Sequence, residues 1–420
     1  MLVNFLPKRI TGLRYLWFAP MVILLYCGLA IPAHQLSQSG MLQFGWLWFT
    51  CLWLCFSLIP VFIFVFGNRF RQRQIVPVWI GIAIALLIAE ISLRMIGFHQ
   101  NYGELRDSVY KSRYGGHSSN IFLEHRPFDT FELRSPEFSY KRITNSWGYS
   151  DIEPDSIKRK DEYRILVIGD SFTEGDGAPQ DSTYTNLWRG IIQRDTSIHR
   201  PVRLYNAGIC GSDPFFNYVE LKHKLLPLKP DLVLFTNSSW DMNIDLLTRG
   251  GMERFSNEGV TFNKAPWFEP LYAISYTVRL FIHEVMGYDV YFVKKSEQEN
   301  IHKILDEKMI SLCKLYSQLG VEHNFQVVQV IRPDKDELIN GVEEYNFDSL
   351  LAGTSQLANF QSLKLLTTMK GVVNEERMTP EQIFWAKDGH HNSQGYYCLA
   401  LSLHKELRPR FLPDIQPTNH

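Results

Sequence analysis

The chain lacks a strong net charge, because 43 Lys and Arg residues stand against 44 Asp and Glu residues and leave a formal charge of −1. No global basic field therefore favours nucleic acid as a partner. A phosphate-binding loop and a dinucleotide fingerprint are also missing, so no sequence motif predicts a nucleotide cofactor. The six cysteines contain no CxxC pair and no zinc-like spacing, which argues against a zinc site. Three of them, Cys210, Cys313 and Cys398, follow the apolar N-terminal region, and at most one disulfide could form among these.

Apolar residues are concentrated in the first hundred positions. A helix that crosses a bilayer needs about 20 of them, and the stretches at roughly 15–33, 44–66 and 76–96 are long enough. The first stretch could be a cleaved signal peptide. Its length and the two stretches that follow favour a retained helix instead. We therefore predict a membrane region with three transmembrane helices over residues 1–98.

The distribution of positive charge predicts how these helices are oriented. The loop between the first two, residues 34–43, contains no Lys or Arg, whereas the N-terminus and the second loop are basic. Both basic segments should therefore face the cytoplasm. Three crossings then place everything after about residue 98 in the periplasm or outside the cell, on a multi-pass protein of the cytoplasmic (inner) membrane. The basic residues are Lys8, Arg9 and Arg14, and then Arg69, Arg71 and Arg73.

Two features of the predicted membrane protein leave alternatives open. Glu90 and Arg94 are four residues apart on the third span, which suits an ion pair near the outer interface; a contact with a partner membrane protein is the alternative. Residues 267–293 are apolar and aromatic but are interrupted by charge. We expect an inserted helix near 265–295 that covers the site or rests on the membrane surface, with an ordinary core helix as the alternative.

The part beyond the membrane region reads as α/β. Residues 99–162 are polar and weakly periodic, which predicts a connecting segment that wraps the domain after it. Over residues 163–412, short apolar runs alternate with helix-compatible stretches, which predicts βαβ units and a parallel sheet with helices on both faces. The predicted strands are 164–169, 202–206, 232–236 and 325–331, and the predicted helices are 184–193, 216–226, 301–319 and 393–407.

Two motifs carry the groups needed for nucleophilic acyl transfer. The first strand ends in Gly169-Asp-Ser171, so Ser171 is presented on a tight turn at the carboxyl end of that strand. Near the C-terminus, Asp388-Gly-His-His391 supplies a carboxylate and imidazoles. We assign the base to His391, because a three-residue offset lets Asp388 reach its Nδ1 and leaves Nε2 for Ser171. A helix cap for Ser171 and a solvated surface histidine are the plain alternatives.

These motifs resemble those of the SGNH (GDSL-type) hydrolase family, in particular its membrane-anchored bacterial members, over about residues 143–405. Gly169-Asp-Ser171 matches the family's first block, and Tyr205-Asn-Ala-Gly-Ile-Cys-Gly211 matches the second. Asp388 and His391 match the last block. The resemblance implies a three-layer α/β/α fold, Ser171 as nucleophile and the backbone of Gly211, rather than Gly208, in the oxyanion hole. It implies no metal and no organic cofactor.

The third block departs from the family, whose Gly-x-Asn-Asp pattern supplies an asparagine side chain to the oxyanion. Here the segment reads Asn237-Ser-Ser-Trp-Asp241, with Ser239 or Trp240 at the asparagine position. We assign the role to Asn237, with Asn243 as the alternative. Losing one such donor typically slows the reaction by about 10²–10³. This departure therefore bears directly on whether the chain is an active enzyme.

The sequence therefore favours a membrane-anchored serine esterase or O-acyltransferase that works outside the cytoplasm. Its predicted substrates are acyl esters of cell-surface glycans or lipids, and the two activities differ only in the nucleophile of the second half-reaction. The alternative is a weakly active or inactive SGNH-shaped scaffold or binding subunit in a membrane assembly. A membrane-protein partner would fit either hypothesis.

Overall fold

The computed structural model describes residues 81, 84–98, 125–256, 259–260, 268, 271–272, 275–289 and 292–412. The predicted spans at 15–33 and 44–66, the first part of the third and the segment 99–124 lie outside these residues. The chain divides into two compact units. One is formed from segments 1–108 and 264–299, and the other from 109–263 and 300–420.

In the first unit, residues 84–95 form a helix, α1. Several of its apolar side chains are exposed, among them Ile88 and Met95. Within the part of the chain that the structure describes, no helix combines the length and the apolar character that a membrane crossing requires.

The Glu90 side chain on α1 accepts several hydrogen bonds within this unit. The expected ion pair is present, with Arg94 Nε 2.8 Å from Glu90 Oε1. The carboxylate also accepts hydrogen bonds from Ser275 Oγ at 2.9 Å, from the Tyr276 N–H at 3.0 Å and from the Thr277 N–H at 2.9 Å. Because Ser275 is the N-cap of the helix Tyr276–Leu280, Glu90 adds its negative charge to the positive end of that helix.

The described part of segment 267–293 has a small apolar core of its own. Phe268, Tyr272 and Ile282 are buried against one another. Tyr272 packs edge-on against the Phe292 ring, with the centroids 5.0 Å apart. The described residues of this segment therefore bury apolar side chains against one another.

The second unit contains a five-stranded parallel sheet, so the α/β class and the parallel sheet are confirmed. Most residues of four of the strands are buried, as parallel sheets require, and the fifth, at an edge of the sheet, is partly exposed. All four predicted strands are present, and the fifth, Phe360–Lys364, was missed because three of its five residues are polar. Numbered along the chain, the strands are β3 Tyr163–Gly169, β4 Val202–Gly208, β5 Leu232–Asn237, β8 Gln326–Ile331 and β9 Phe360–Lys364. Their order across the sheet is β4-β3-β5-β8-β9.

Helices cover both faces of this sheet and give three layers. On one face Leu166, Phe235 and Val327 pack with the long helix that contains Tyr316. On the other, Val167 and Leu234 pack with the helices that contain Trp188 and Leu403. In chain order the helices are α2 Ser171–Glu174, α3 Tyr184–Arg194, α4 Pro214–Glu220, α5 Leu246–Arg249, α6 Tyr276–Leu280 (first unit), α7 Lys295–His323, α8 Lys335–Asn340, α9 Asp348–Thr354, α10 Leu366–Glu375 and α11 Ser393–Phe411.

Two antiparallel hairpins lie outside the main sheet. The strands β1 Thr130–Arg134 and β2 Ser139–Ile143 form the first, and β6 Phe255–Ser256 and β7 Gly259–Val260 form the second. The β1–β2 hairpin belongs to the predicted connecting segment. It is fixed to the domain by the fully buried Arg142 side chain, which donates to the carbonyls of Gly175 and Ala178.

Candidate active site

The strand order places β3 at the point where the chain switches direction across the sheet, with β4 on one side and β5 on the other. Ligands of open α/β sheets bind in the crevice at this point, outside the carboxyl ends of the strands. Ser171 follows β3 after a single residue, Asp170. The serine therefore lies where a ligand has access.

Ser171 is the first residue of the short helix α2. Asp170 is its N-cap, and Asp170 Oδ1 accepts a hydrogen bond from the Phe172 N–H at 3.0 Å. The first residues of a helix have backbone N–H groups without intrahelical partners, and these favour nearby negative charge. The turn thus presents a hydroxyl together with donors that suit an anion.

The serine is the first group of a three-residue hydrogen-bonded chain. Ser171 Oγ lies 2.8 Å from His390 Nε2, and His390 Nδ1 lies 2.6 Å from Asp388 Oδ1. The His390 and Asp388 side chains are 23% and 21% exposed, so these hydrogen-bonded residues are partly shielded from water and still accessible to a substrate. With the Nδ1 proton on the carboxylate side, Nε2 is free to accept the serine proton.

We expected His391 to be the base, but His390 is the histidine that contacts Ser171 and Asp388. Residues 384–391 form a narrow loop in which Phe384 bridges His391 and the Trp385 N–H donates to the His390 carbonyl at 2.9 Å. In such extended backbone, successive side chains point to opposite sides. Gly389, at φ +86°, makes the sharp turn that brings Asp388 to the imidazole two positions later.

His391 is fully buried. Its ring packs against Phe384, with the centroids 4.1 Å apart, and edge-on against Tyr396 at 5.4 Å. Burial, together with the positive charge of Arg332, lowers the pKa of His391 to about 3. The residue is therefore a neutral core histidine, and no contact links it to Ser171 in the described part of the chain.

Gly211 lies in the loop after β4, beside the serine turn. This loop is tied to the end of β3, because Ser212 Oγ donates to the Gly169 carbonyl at 2.8 Å. Gly211 has φ +80°, a region that favours glycine, and its carbonyl accepts from Arg249 Nη1 at 2.6 Å. Gly208 is an unsuitable donor, since its N–H already binds Asn206 Oδ1 at 2.9 Å.

No contact links Asn237 to Ser171 among the described residues. Its neighbour Thr236 contacts Thr173 of α2 through the two hydroxyls, 2.8 Å apart. Because strand side chains alternate, Asn237 points to the opposite face, where its Oδ1 accepts from Gln329 Nε2 at 3.0 Å. Ser239, the residue at the family's asparagine position in one alignment, is also engaged, since its hydroxyl donates to Glu337.

Arg332 is a site residue that the sequence analysis missed. Its buried side chain places Nη2 3.2 Å from Asp170 Oδ2 and Nη1 2.6 Å from Asp334 Oδ1. The guanidinium also lies over the Phe172 ring, so it contacts both neighbours of Ser171. Burial alone would lower the pKa of Arg332, but the charges of Asp170 and Asp334 raise it. The signal in the sequence was a charged residue directly after the buried strand β8.

A second group of polar side chains lies behind the serine turn. Glu174 accepts a hydrogen bond from the Cys210 N–H at 2.6 Å and lies 2.9 Å from His125 Nε2. Burial, and then the charge of Glu174, raises the pKa of Asp176 to about 7, while His390 opposes this shift. Among the described residues, no three His, Cys, Asp or Glu side chains are grouped so as to hold a metal ion, and Cys210, Cys313 and Cys398 are free thiols.

Comparison with known proteins gives similarity to solved structures alone. No protein-family model matches the chain, and no curated protein matches it in sequence. Among solved structures, a two-domain esterase active on acetylated mannans is 14% identical with a TM-score of 0.35, covering 62% of this chain and 51% of that one. The chain thus spans about half the length of that protein.

Two shorter structures align over nearly their whole length. TesA is 15% identical with a TM-score of 0.34, covering 59% of this chain and 98% of that chain. The acetylxylan esterase Axe2 from Geobacillus stearothermophilus is 15% identical with a TM-score of 0.34, covering 60% of this chain and 96% of that one. At these identities and TM-scores the likeness does not establish a shared fold, activity or substrate.

Proposed function

We propose that the chain is a serine esterase or O-acyltransferase of the SGNH (GDSL) type, with Ser171 as nucleophile, His390 as base and Asp388 as the acid that orients it. The observation that supports this most directly is the 2.8 Å separation of Ser171 Oγ and His390 Nε2. Asp388 completes the arrangement at 2.6 Å from Nδ1. A nucleophile, a base and an orienting acid in hydrogen-bond contact are the geometric signature of this chemistry.

The proposed reaction has two halves. Ser171 Oγ attacks the ester carbonyl carbon as its proton passes to His390 Nε2, and the leaving alcohol then takes that proton. Water, or a sugar hydroxyl in the transferase case, next attacks the acyl-serine carbonyl and gives its proton to His390. Collapse of the second intermediate returns that proton to Ser171. Asp388 stabilises the imidazolium in both halves.

The oxyanion of each tetrahedral intermediate requires hydrogen-bond donors directed at the same position. We assign the backbone N–H groups of Ser171 and Gly211 to it: the first lies at the start of α2, and the second is in the loop tied to Gly169. Asn237, the expected side-chain donor, faces Gln329 instead. An oxyanion hole with fewer donors is slower by about 10²–10³ per lost donor, so the proposed enzyme is slow or specialised.

We further propose that this domain is held at the outer face of the cytoplasmic membrane by the three predicted N-terminal helices, in the periplasm or outside the cell. Its proposed substrates are acyl esters of cell-surface glycans or lipids. The apolar stretches and the distribution of positive charge in the first hundred residues support this location. Anchoring favours a substrate that is itself bulky or held in the membrane.

The decisive experiment is covalent labelling of the full-length protein, in detergent or membranes, with a fluorophosphonate serine probe. Wild type should be labelled, and the Ser171→Ala variant should not. Ser317→Ala is the control, because Ser317 is also a buried serine but its hydroxyl donates to the Ala358 carbonyl and contacts no residue assigned to the site. Loss of labelling in both variants would show a general loss of folded protein.

The scaffold alternative makes the opposite prediction. A folded, monodisperse wild-type protein that resists the probe would contradict the enzyme proposal and favour a binding subunit. Labelling that persists in Ser171→Ala would show that another serine reacts. Either result would overturn the assignment of Ser171.

A further inference from the structure

The tip of the β1–β2 hairpin contacts the loop that carries Asp388. Glu137 Oε1 accepts a hydrogen bond from the Ala386 N–H at 3.1 Å. Glu137 Oε2 accepts from the N–H groups of Lys387 and Asp388, both at 2.8 Å. One carboxylate therefore binds three consecutive backbone donors, and the last belongs to the residue that orients His390.

Exposed backbone N–H groups of a surface loop can bind water, whereas these three bind one carboxylate. Successive N–H groups that converge on one point form a concave anion site, and hydrogen bonds to a charged acceptor are roughly twice as strong as neutral ones. Burial and the like charge of Asp388 would raise the pKa of Glu137, but the hydrogen bonds from the Asp388, Lys387 and Ala386 N–H groups lower it.

Other contacts fix the same loop from different directions. Lys335 Nζ donates to the carbonyls of Trp385 and Ala386 at 3.1 and 3.2 Å. Phe138, next to Glu137, packs against the Trp385 ring with the centroids 5.5 Å apart. Trp385 Nε1 in turn donates to the Gly177 carbonyl at 2.7 Å, close behind the serine turn. The loop is thus fixed through its donors, its acceptors and a side chain.

We infer that Glu137 is a positioning residue for the proposed reaction: through the 386–388 backbone it holds Asp388, and so His390, in register with Ser171. The inference rests on the proposed function. Glu137 contacts neither the serine nor the imidazole, so its effect passes through the loop. It gives the connecting segment, which has no other assigned part in the chemistry, a defined contribution to the site.

The test compares Glu137→Gln with Glu132→Gln in the full-length protein. Glu132 lies on the same hairpin and is exposed, and among the residues that the structure describes its hydrogen-bond partners are Ser139 and Arg134 of that hairpin. Each substitution removes one negative charge from the hairpin. Only Glu137→Gln also changes the contact with the backbone of residues 386–388. The readouts are the second-order rate of fluorophosphonate labelling between pH 5 and 9, hydrolysis of p-nitrophenyl acetate and the thermal midpoint.

We expect Glu137→Gln to label at least about tenfold more slowly than wild type, since misplacing a reacting group by about 1 Å can cost 10²-fold. Its kcat for p-nitrophenyl acetate should fall while KM stays within about twofold. The apparent pKa of the labelling rate should fall, because a misaligned Asp388 stabilises the imidazolium less. Glu132→Gln should match wild type in all three, and Glu137→Asp should recover part of the rate.

A role confined to docking the hairpin predicts a different result. Glu137→Gln would then lower the thermal midpoint while the rate and pH profile of the folded protein matched those of Glu132→Gln, and the inference would be wrong. Failure of the proposed function is distinguishable, since wild type itself would then not be labelled at Ser171.

Discussion

The guanidinium carbon of Arg332 lies 3.5 Å from the centroid of the Phe172 ring. A cation over an aromatic face is attracted to it, more strongly when both groups are shielded from water. The Phe172 ring also contacts the His390 ring, with the centroids 4.7 Å apart. Arg332 therefore supports the imidazole through Phe172 and the serine turn through Asp170.

We predict that Arg332→Lys slows fluorophosphonate labelling by about 10–100-fold. Lysine keeps the charge but lacks the planar fork that binds Asp170 and Asp334 together while stacking on Phe172. The measurement is the labelling rate of folded protein, with Arg203→Lys as the control, because Arg203 forms a partly exposed ion pair with Asp155. Equal rates for the two variants would contradict the role given to Arg332.

The two adjacent histidines should separate function from stability. We expect His390→Gln to label at least about 10³-fold more slowly with little change in thermal midpoint, since removing the base of such a site costs that much or more. His391→Gln should do the reverse, with a lower thermal midpoint and labelling retained in the folded fraction. The opposite pattern would restore His391 as the base.

His391 should also make the protein less stable in acid. Its pKa is about 3 in the folded state and about 6.5 in an unfolded chain. Between these values the unfolded state binds the extra proton, so the free energy of unfolding falls as pH drops from about 6.5 to about 3. The contribution approaches about 1.4 kcal/mol per pH unit. The measurement is urea unfolding of wild type and His391→Gln across this pH range. The free energy of unfolding plotted against pH should have a shallower slope for the variant.

Asp176 should have the opposite effect on the pH dependence of stability, making the protein less stable as pH rises. Burial and the Glu174 charge raise its folded-state pKa to about 7, whereas the unfolded value is about 3.9. The folded state therefore holds a proton that the unfolded state has lost, and stability decreases as pH rises from about 4 to about 7. Asp176→Asn, which mimics the protonated acid, should gain stability relative to wild type over that range and then level off. The measurement is urea unfolding of wild type and Asp176→Asn at several pH values across that range, which should show the difference in free energy of unfolding widen as pH rises.

Much of this fold could be predicted from the sequence, because each central strand is a short apolar run that needs two covered faces. That Ser171 and Asp388 would each contact an imidazole was also predictable, since each depends on a local turn. Which of His390 and His391 makes these contacts was not predictable, because it depends on which side of the 384–391 loop each ring takes. That side is set by the antiparallel bridge between Phe384 and His391, a contact that spacing within the motif does not reveal.

The β1–β2 hairpin and Arg332 escaped prediction for a related reason. The hairpin sequences Thr-Phe-Glu-Leu-Arg and Ser-Tyr-Lys-Arg-Ile are largely polar, and their stability depends on contacts such as Arg142 with the carbonyl groups of Gly175 and Ala178. Arg332 forms a bond to Asp170, 162 positions earlier in the chain. Long-range polar contacts of this kind leave no periodic pattern in the sequence.

The contact between Ser171 and His390 joins residues that are 219 positions apart. During synthesis the hydroxyl emerges long before the imidazole that would take its proton. A ribosome adds roughly 5–20 residues per second, so a growing chain carries an unactivated serine for on the order of ten seconds or more. The proposed enzyme would therefore be chemically silent during most of its own translation and become reactive only once the last loop and α11 have docked.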